Sequence, residues 1–352
     1  TLGCKVNQYE SHALREAWQA RGWLEVDDPA KARLILVNSC AVTSRAVSDL
    51  RNTVRRLNRA APAASIVITG CAAQVLAHEI AELPGVAGVI PQSAKDSLVR
   101  PDLFPHGVSA AASTVTAGPN ASHIDLIKSA PRPDTGDAIS VASEYPPFPA
   151  FSLSGYDRSR AVLKIQDGCS HGCTYCIVPL TRGKARSRQY SDPLAGAQRM
   201  LAWGFREIVS RGVNLRQYGQ DGDKGNKEDF WDFLTSLDAD LSGEVAGTAR
   251  LRVSSLEPGP LTARGLDALR SCRLLCPHLH LSLQSGSPAV LRRMGRGHYR
   301  PDDMLAFLEA LGRHWPVFAL GADILTGFPG ESEEEFAEGL RFCASLPLTY
   351  AH

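Results

Sequence analysis

Apolar residues along the first hundred positions come in short runs separated by longer amphipathic stretches. Leu34 to Cys40, Ser65 to Cys71 and Val86 to Ile90 have the length and β-branched content of buried strands. Gln8–Arg21, Ser44–Ala60 and Ala72–Leu83 carry helical spacing between them, and Leu2-Gly3-Cys4 reads as the end of a further strand. Strands alternating with helices predict an α/β fold. We expect an N-terminal doubly wound parallel-sheet domain over residues 1–105, with ligands beyond the carboxyl ends of its strands.

The pattern lapses between Pro105 and Ser159, where small polar residues and Pro131, Pro133, Pro146, Pro147 and Pro149 predict an irregular linker over 106–159. It returns with strand signals at Ala161–Gln166, Glu207–Ser210, Arg250–Ser255, Leu279–Leu283, Gly321–Leu325 and Thr349–His352, separated by helical stretches such as Asp192–Trp203 and Pro301–Arg313. Six strands with crossover helices predict a partial (β/α)6 barrel over 160–352. Thr1 and His352 both lie within strand-like patterns, so the chain reads as truncated at both ends. The acidic run at Glu331–Glu335 is read as a helix start, with Ser332 and Glu335 forming a capping box and only Glu331 left over.

Length changes little, since 352 residues suit two domains. Charge excludes more: 38 Lys+Arg against 37 Asp+Glu give a formal net charge of +1, which rules out a globally basic nucleic-acid coat. No apolar run reaches the roughly 18 residues of a membrane span, and the first residues do not read as a signal peptide, so a cytoplasmic protein is expected. Nine cysteines cannot form a complete set of disulfides, which points to metal or redox chemistry.

Cys169-Ser-His-Gly-Cys173-Thr-Tyr-Cys176 follows the strand Ala161–Gln166 on the side where barrels keep their chemistry. Three thiolates this close can wrap a cubane iron–sulfur cluster and leave one of its four irons open to a substrate or cofactor. The competing reading is a structural zinc site with His171 or a distant residue as fourth ligand. Cys4, Cys40 and Cys71 are far apart in sequence, yet each closes a predicted strand of one parallel sheet, so their thiols can converge on a shared edge. Three unrelated buried cysteines are the alternative.

The three-cysteine loop, with an aromatic before its last Cys, resembles the radical S-adenosylmethionine (SAM) superfamily. With the match running over Gln166–Cys176, and together with Thr1–Ser11, Asn38–Thr43, Ile68–Cys71, Thr181-Arg182-Gly183, Leu281–Ser287 and Gly327–Glu331, it makes the chain similar to the methylthiotransferases of that superfamily. The opening stretch is most like the branch acting on threonylcarbamoyladenosine beside the tRNA anticodon. Ser210-Arg211-Gly212 before Val213-Asn214, and Arg216-Gln217 before Tyr218-Gly219, depart from the commoner family pattern.

The resemblance implies two 4Fe-4S clusters, one on Cys169, Cys173 and Cys176 that binds SAM and an auxiliary one on Cys4, Cys40 and Cys71 that presents sulfur. It also implies a 5′-deoxyadenosyl radical that activates a C–H bond of the substrate, in a space closed to water. Tyr175, Gly212, Asn214, Glu257 and Gln284, near the cluster loop or at strand ends, are expected to contact SAM, each with a plain turn or capped strand end as its competing role. Expected partners are tRNA and an electron donor such as flavodoxin or ferredoxin; oligomeric state is not legible. The same chemistry on isopentenyladenosine or on a ribosomal-protein aspartate stays open, as does a non-enzymatic zinc and RNA-binding module.

Arg182, Lys184, Arg186 and Arg188 alternate, so in an extended segment all would share one face suited to an RNA backbone. Arg51, Arg55 and Arg59 on one helix, and Arg292, Arg293, Arg296 and Arg300, are weaker basic groups. Cys272, Cys276 and Cys343 read as core or incidental thiols, and His278 and His280 as packing residues.

Overall fold

The structure is a computed structural model that describes residues 1–100, 153, 159–221, 228–245 and 247–352. The linker expected over 106–159 lies outside the described residues except at positions 153 and 159. The described residues form two compact units, one drawn from Thr1–Ser154 and Ser170–Lys184, the other from Gly155–Cys169 and Ala185–His352.

In the first unit, β1 (Leu34–Ser39), β2 (Ser65–Gly70) and β3 (Val86–Pro91) lie parallel in the order β1-β2-β3. The helix Ser44–Ala60 begins where its sequence predicts, because the Thr43 hydroxyl accepts a hydrogen bond from the Ala46 N–H. The stretch expected as one helix over 72–83 is instead two, Cys71–Val75 and Ala77–Ala81, broken at Leu76. Val37, Leu50, Val54, Ile66, Ile68 and Val89 build the core, and Ile177 joins them. A buried aliphatic side chain of this size contributes about 1.5–3 kcal/mol, and Ile177, with Leu180 packed beside the same core, helps to hold the segment Ser170–Lys184 on this unit.

Leu2-Gly3-Cys4 is not a strand, which corrects the sequence reading. The Leu2 N–H does donate to Asn38 O at 2.8 Å, but Gly3 then turns through φ +91° and the helix Lys5–Gln19 begins at once, with Cys4 as its N-cap.

The second unit holds β4 (Ala161–Lys164), β5 (Gln166–Asp167), β6 (Arg186–Ser187), β7 (Glu207–Arg211), β8 (Arg250–Val253), β9 (His278–Gln284), β10 (Ala319–Ile324) and β11 (Tyr350–Ala351). β4-β7-β8 and β9-β10-β11 are parallel, and bridges at Leu251–Leu275 and Leu256–Leu281 connect them, so the strands follow chain order around a partial barrel. The strand expected over 161–166 splits at Ile165, whose N–H bonds Arg211 O in the barrel while its carbonyl accepts from Arg188 N–H. Beyond that point β5 pairs antiparallel with β6. The helix Glu333–Ser345 carries the expected capping box of Ser332 and Glu335, and Glu331 accepts the N–H groups of Gly327 and Phe328.

Candidate functional site

At the carboxyl edge of the first sheet, Ser39 and Gly70 are register partners, so Cys40 and Cys71, each the next residue, leave adjacent strands side by side. Cys40 is 5% exposed and Cys71 3%, while Cys4 is open to solvent. Burial pushes the Cys40 thiol up; the Val42 N–H pulls it back, the nearby Cys71 and Cys4 sulfurs raise it further, and the Arg182 charge lowers it. Cys40 therefore senses both other thiols of the expected set. Gly3 makes the approach possible, since a Cβ there would lie 2.4 Å from Cys40 Cβ.

Buried amides hold this edge. Asn7 Nδ2 donates to Leu2 O at 3.0 Å and Ser39 O at 2.8 Å, and Asn38 Nδ2 donates to Asn7 O at 2.9 Å. The Ser39 hydroxyl donates to Thr69 O at 2.6 Å. Together they tie carbonyls one or two residues ahead of Cys4, Cys40 and Cys71. The motif residues around the cysteines, Glu10 among them, were legible in the sequence; the pairing of Glu10 with Lys95, which completes this buried network, was not.

In the second unit the organising residue is Gln166, fully buried, which the sequence reading included in the matched loop without giving it a role. Its Oε1 accepts from Val213 N–H at 2.8 Å and Asn214 N–H at 2.9 Å, and its Nε2 donates to Asp167 O and Gly168 O. One amide thus fixes both the turn after β7 and the approach to Cys169. Gly212 is needed beside it, because a Cβ there would meet Gln166 Oε1 at 2.7 Å. Asp167, also fully buried, is paired by Lys164 at 2.8 Å and Arg186 at 3.4 Å.

Asn214 Nδ2 lies 3.7 Å from Cys169 Sγ and 3.4 Å from Glu257 Oε2. Glu257, 4% exposed, takes Arg216 at 3.5 Å, Arg296 at 3.2 Å and His298 at 2.9 Å. Arg296 also donates to Ser282 O. Of the expected SAM contacts, Gly212, Asn214 and Glu257 gather at the ends of β7 and β8. Gln284 ends β9, where it has the positive φ of +67° that no other described non-glycine residue adopts. Tyr175, half-buried, lies between Cys173 and Cys176 in the first unit, where the Cys176 N–H bonds Cys173 O.

The alternating basic run is corrected. Arg182 ends the helix Val178–Arg182 and is 2% exposed, Gly183 turns the chain, Arg186 pairs with Asp167 in β6, and Arg188 is 7% exposed. The segment is a helix end, a turn and a short strand in place of one extended run, and Lys184 alone of the four is exposed. In the weaker groups, Arg51 pairs with Glu79, Arg293 with Glu335 and Arg296 with Glu257. Cys272 and Cys276 are buried, with Cys272 pushed up to about 12 by burial and by Asp238. His278 and His280 share the Tyr350 hydroxyl at 3.0 and 3.1 Å, and His280 pairs with Asp323.

The donor sets suit the groups the sequence implied. The six cysteines form no disulfide, and soft thiolates in threes are iron–sulfur ligands. Ser210 and Ser254, in or next to the ends of β7 and β8, bury hydroxyls that have no partner among the described residues. With the Asn214 amide and the Glu257 carboxylate, they give that end of the barrel the mixed donors and acceptors that an amino-acid-bearing cofactor takes.

Residues 1–91 match the Uncharacterized protein family UPF0004, and residues 163–343 match the Radical SAM superfamily. Across all of its length the chain is 34% identical to the threonylcarbamoyladenosine tRNA methylthiotransferase MtaB of Bacillus subtilis (strain 168), covering 71% of that protein. It is 33% identical to the protein of the same name from Chlamydia pneumoniae, again over its whole length and covering 72% of that protein. Among solved structures it is similar to the radical S-adenosylmethionine methyltransferase TsrM of Kitasatospora setae, with a TM-score of 0.66, 16% identity, and 97% of this chain and 69% of that one covered. That likeness speaks to the fold alone. The full-length identity and the two matched families show that the chain belongs to the radical SAM methylthiotransferases, in the branch of the threonylcarbamoyladenosine tRNA methylthiotransferases.

Proposed function

We propose that this chain transfers a methylthio group to an unactivated C–H of threonylcarbamoyladenosine in tRNA. The observation that carries the reading is the presence of two three-cysteine sets, one at the carboxyl edge of a parallel sheet and one in the loop after the first barrel strands. Cys169, Cys173 and Cys176 would hold one 4Fe-4S cluster, and Cys4, Cys40 and Cys71 a second. When bound, the first supplies the electron that splits SAM and the second presents the sulfur to be transferred.

The chain's own residues bind and orient. Gln166 fixes the backbone on both sides of the Cys169 approach. Asn214 offers a donor and an acceptor, and Glu257 a carboxylate, to the amino and hydroxyl groups of SAM. Arg216, Arg296 and His298 hold Glu257 in one orientation and offset the cost of burying its charge. Gly212 lets Gln166 approach the turn, and Gln284 holds the end of β9. No described helix is long and apolar enough to cross a membrane. A tRNA substrate supports a cytoplasmic setting, and one-electron reduction of a cluster calls for a donor of the flavodoxin or ferredoxin type.

The test is anaerobic reconstitution of the full chain. We expect about eight irons per chain, from two four-iron clusters. C173A should abolish reductive SAM cleavage, whereas C40A should spare cleavage and stop methylthio insertion, as read by mass spectrometry of tRNA nucleosides. A chain that takes zinc in place of iron and leaves SAM intact overturns the reading.

A further inference from the structure

Glu10 is 1% exposed, a costly place for a carboxylate unless it is paired. Arg182 meets it with two prongs, Nη1 to Oε1 at 2.9 Å and Nη2 to Oε2 at 3.3 Å, and Lys95 Nζ donates to Oε2 at 2.7 Å. Arg182 Nη2 also reaches Asn7 Oδ1 at 2.7 Å, and Lys95 reaches Asn38 Oδ1 at 3.0 Å. Both cations are 2% exposed.

The three charges come from three segments of the first unit. Glu10 lies on the helix that opens directly after Cys4, Arg182 ends the helix that follows Cys176, and Lys95 comes from the helical turn after β3. Asn7 extends the node to the carbonyls of Leu2, two residues before Cys4, and of Ser39, next to Cys40, while Asn38 donates to Asn7 O. An apolar cluster of the same volume would hold these segments together as well or better, since buried ion pairs rarely add net stability. A two-pronged guanidinium–carboxylate pair gives direction instead: it satisfies one mutual geometry and penalises others.

We propose that Glu10, Arg182 and Lys95 are positioning residues that set the Cys4/Cys40/Cys71 thiols against the Cys173–Cys176 segment within the first unit. The node serves the transfer between the two sulfur-bearing sites rather than the assembly of either. This inference rests on the two-cluster reading of the six cysteines.

The test compares the anaerobically reconstituted full chain with R182K, which keeps the charge but loses the two-pronged grip, with E10Q, and with the double variant. Iron content and reductive SAM cleavage should stay within about twofold of the parent, while methylthio insertion falls by about tenfold or more, the loss of one buried charge-assisted contact. Hydrogen exchange should rise in both helices, Lys5–Gln19 and Val178–Arg182, whichever partner is changed, and the double variant should be no worse than either single one. Cleavage and insertion falling in parallel, or exchange rising only in the mutated helix, would reduce the node to a structural brace and overturn the proposal. If the parent chain takes no iron or leaves SAM intact, the two-cluster reading fails, and the exchange result alone then upholds or sinks the tie between the helices.

Discussion

Gln166 shows how much one side chain can fix. Its amide makes four hydrogen bonds to backbone, all within the second unit, and it has no exposed surface. Removing it leaves buried N–H and C=O groups without partners, at about 1 kcal/mol or more each. We expect Q166A to lose about 2–4 kcal/mol in urea unfolding and to raise the KM for SAM in the cleavage assay. Gly3 gives a second prediction at this scale. At φ +91°, with Cys40 Cβ 2.4 Å from where its own Cβ would stand, alanine is both strained and obstructed. G3A should therefore cost the first cysteine set its metal and take up about four irons instead of about eight, read by iron analysis with SAM cleavage retained. Cys169, Cys173 and Cys176 were legible in the sequence because a cluster loop leaves a spacing pattern, and Cys40 and Cys71 because each follows a strand of one parallel sheet, whereas Cys4 closes no strand. Gln166 fell in a matched stretch, but its anchoring role was not legible, because a single amide in a strand leaves no pattern. Arg182 was misread for a related reason: its partner Glu10 is 172 residues away, so from sequence it looks like one more member of a basic run.

Elements whose determinants are local were read correctly. The helix Ser44–Ala60 starts at its Thr43 cap, and the Ser332–Glu335 capping box forms as its spacing predicts, with Arg293 reaching Glu335 besides. S332A should cost about 1 kcal/mol in thermal or urea unfolding, the usual worth of an N-cap side chain. Leu2-Gly3-Cys4 failed as a strand because one left-handed glycine outweighs an extended-looking pair, and 72–83 failed as a single helix because its break at Leu76 carries no Gly or Pro to announce it.

The β9–β11 edge makes a pH prediction. Burial, then the Arg252 charge and His280, push His278 down from 6.5 to about 4. As pH falls from 6.5 toward 4 the unfolded chain gains a proton that the folded chain refuses, so stability is lost across that window and is flat above it. Thermal melts between pH 7.5 and 4.5 should show the slope, and H278N should flatten it. Asp323, held low chiefly by its hydrogen bond from His280, adds its own loss only below its ordinary 3.8.

For the molecule as a whole, charge is the property that matters to a tRNA partner, and it is nearly balanced at +1. Affinity for a phosphate backbone must then come from local groups, and the structure removes several that the sequence offers. Arg182, Arg186, Arg216, Arg293 and Arg296 are engaged with carboxylates. Lys184 stays exposed, and so do Arg55, Arg56 and Arg59 on the helix Ser44–Ala60, whose one acidic residue, Asp49, faces Arg45 at 4.0 Å. The sequence picked out Arg51, Arg55 and Arg59 by spacing; Glu79 takes Arg51 out of that row, and Arg56 joins it at the surface. Each lysine or arginine that neutralises a phosphate steepens the fall of log affinity with log salt by about 0.7–0.9. Replacing Arg55, Arg56 and Arg59 together by Gln should therefore flatten that slope by about 2–3 and weaken tRNA of any sequence alike, and K184Q should flatten it by about 1. Iron content and SAM cleavage should not move, since all four side chains stand exposed at the surface. A slope unchanged by the triple variant would place the phosphate contacts elsewhere on the chain.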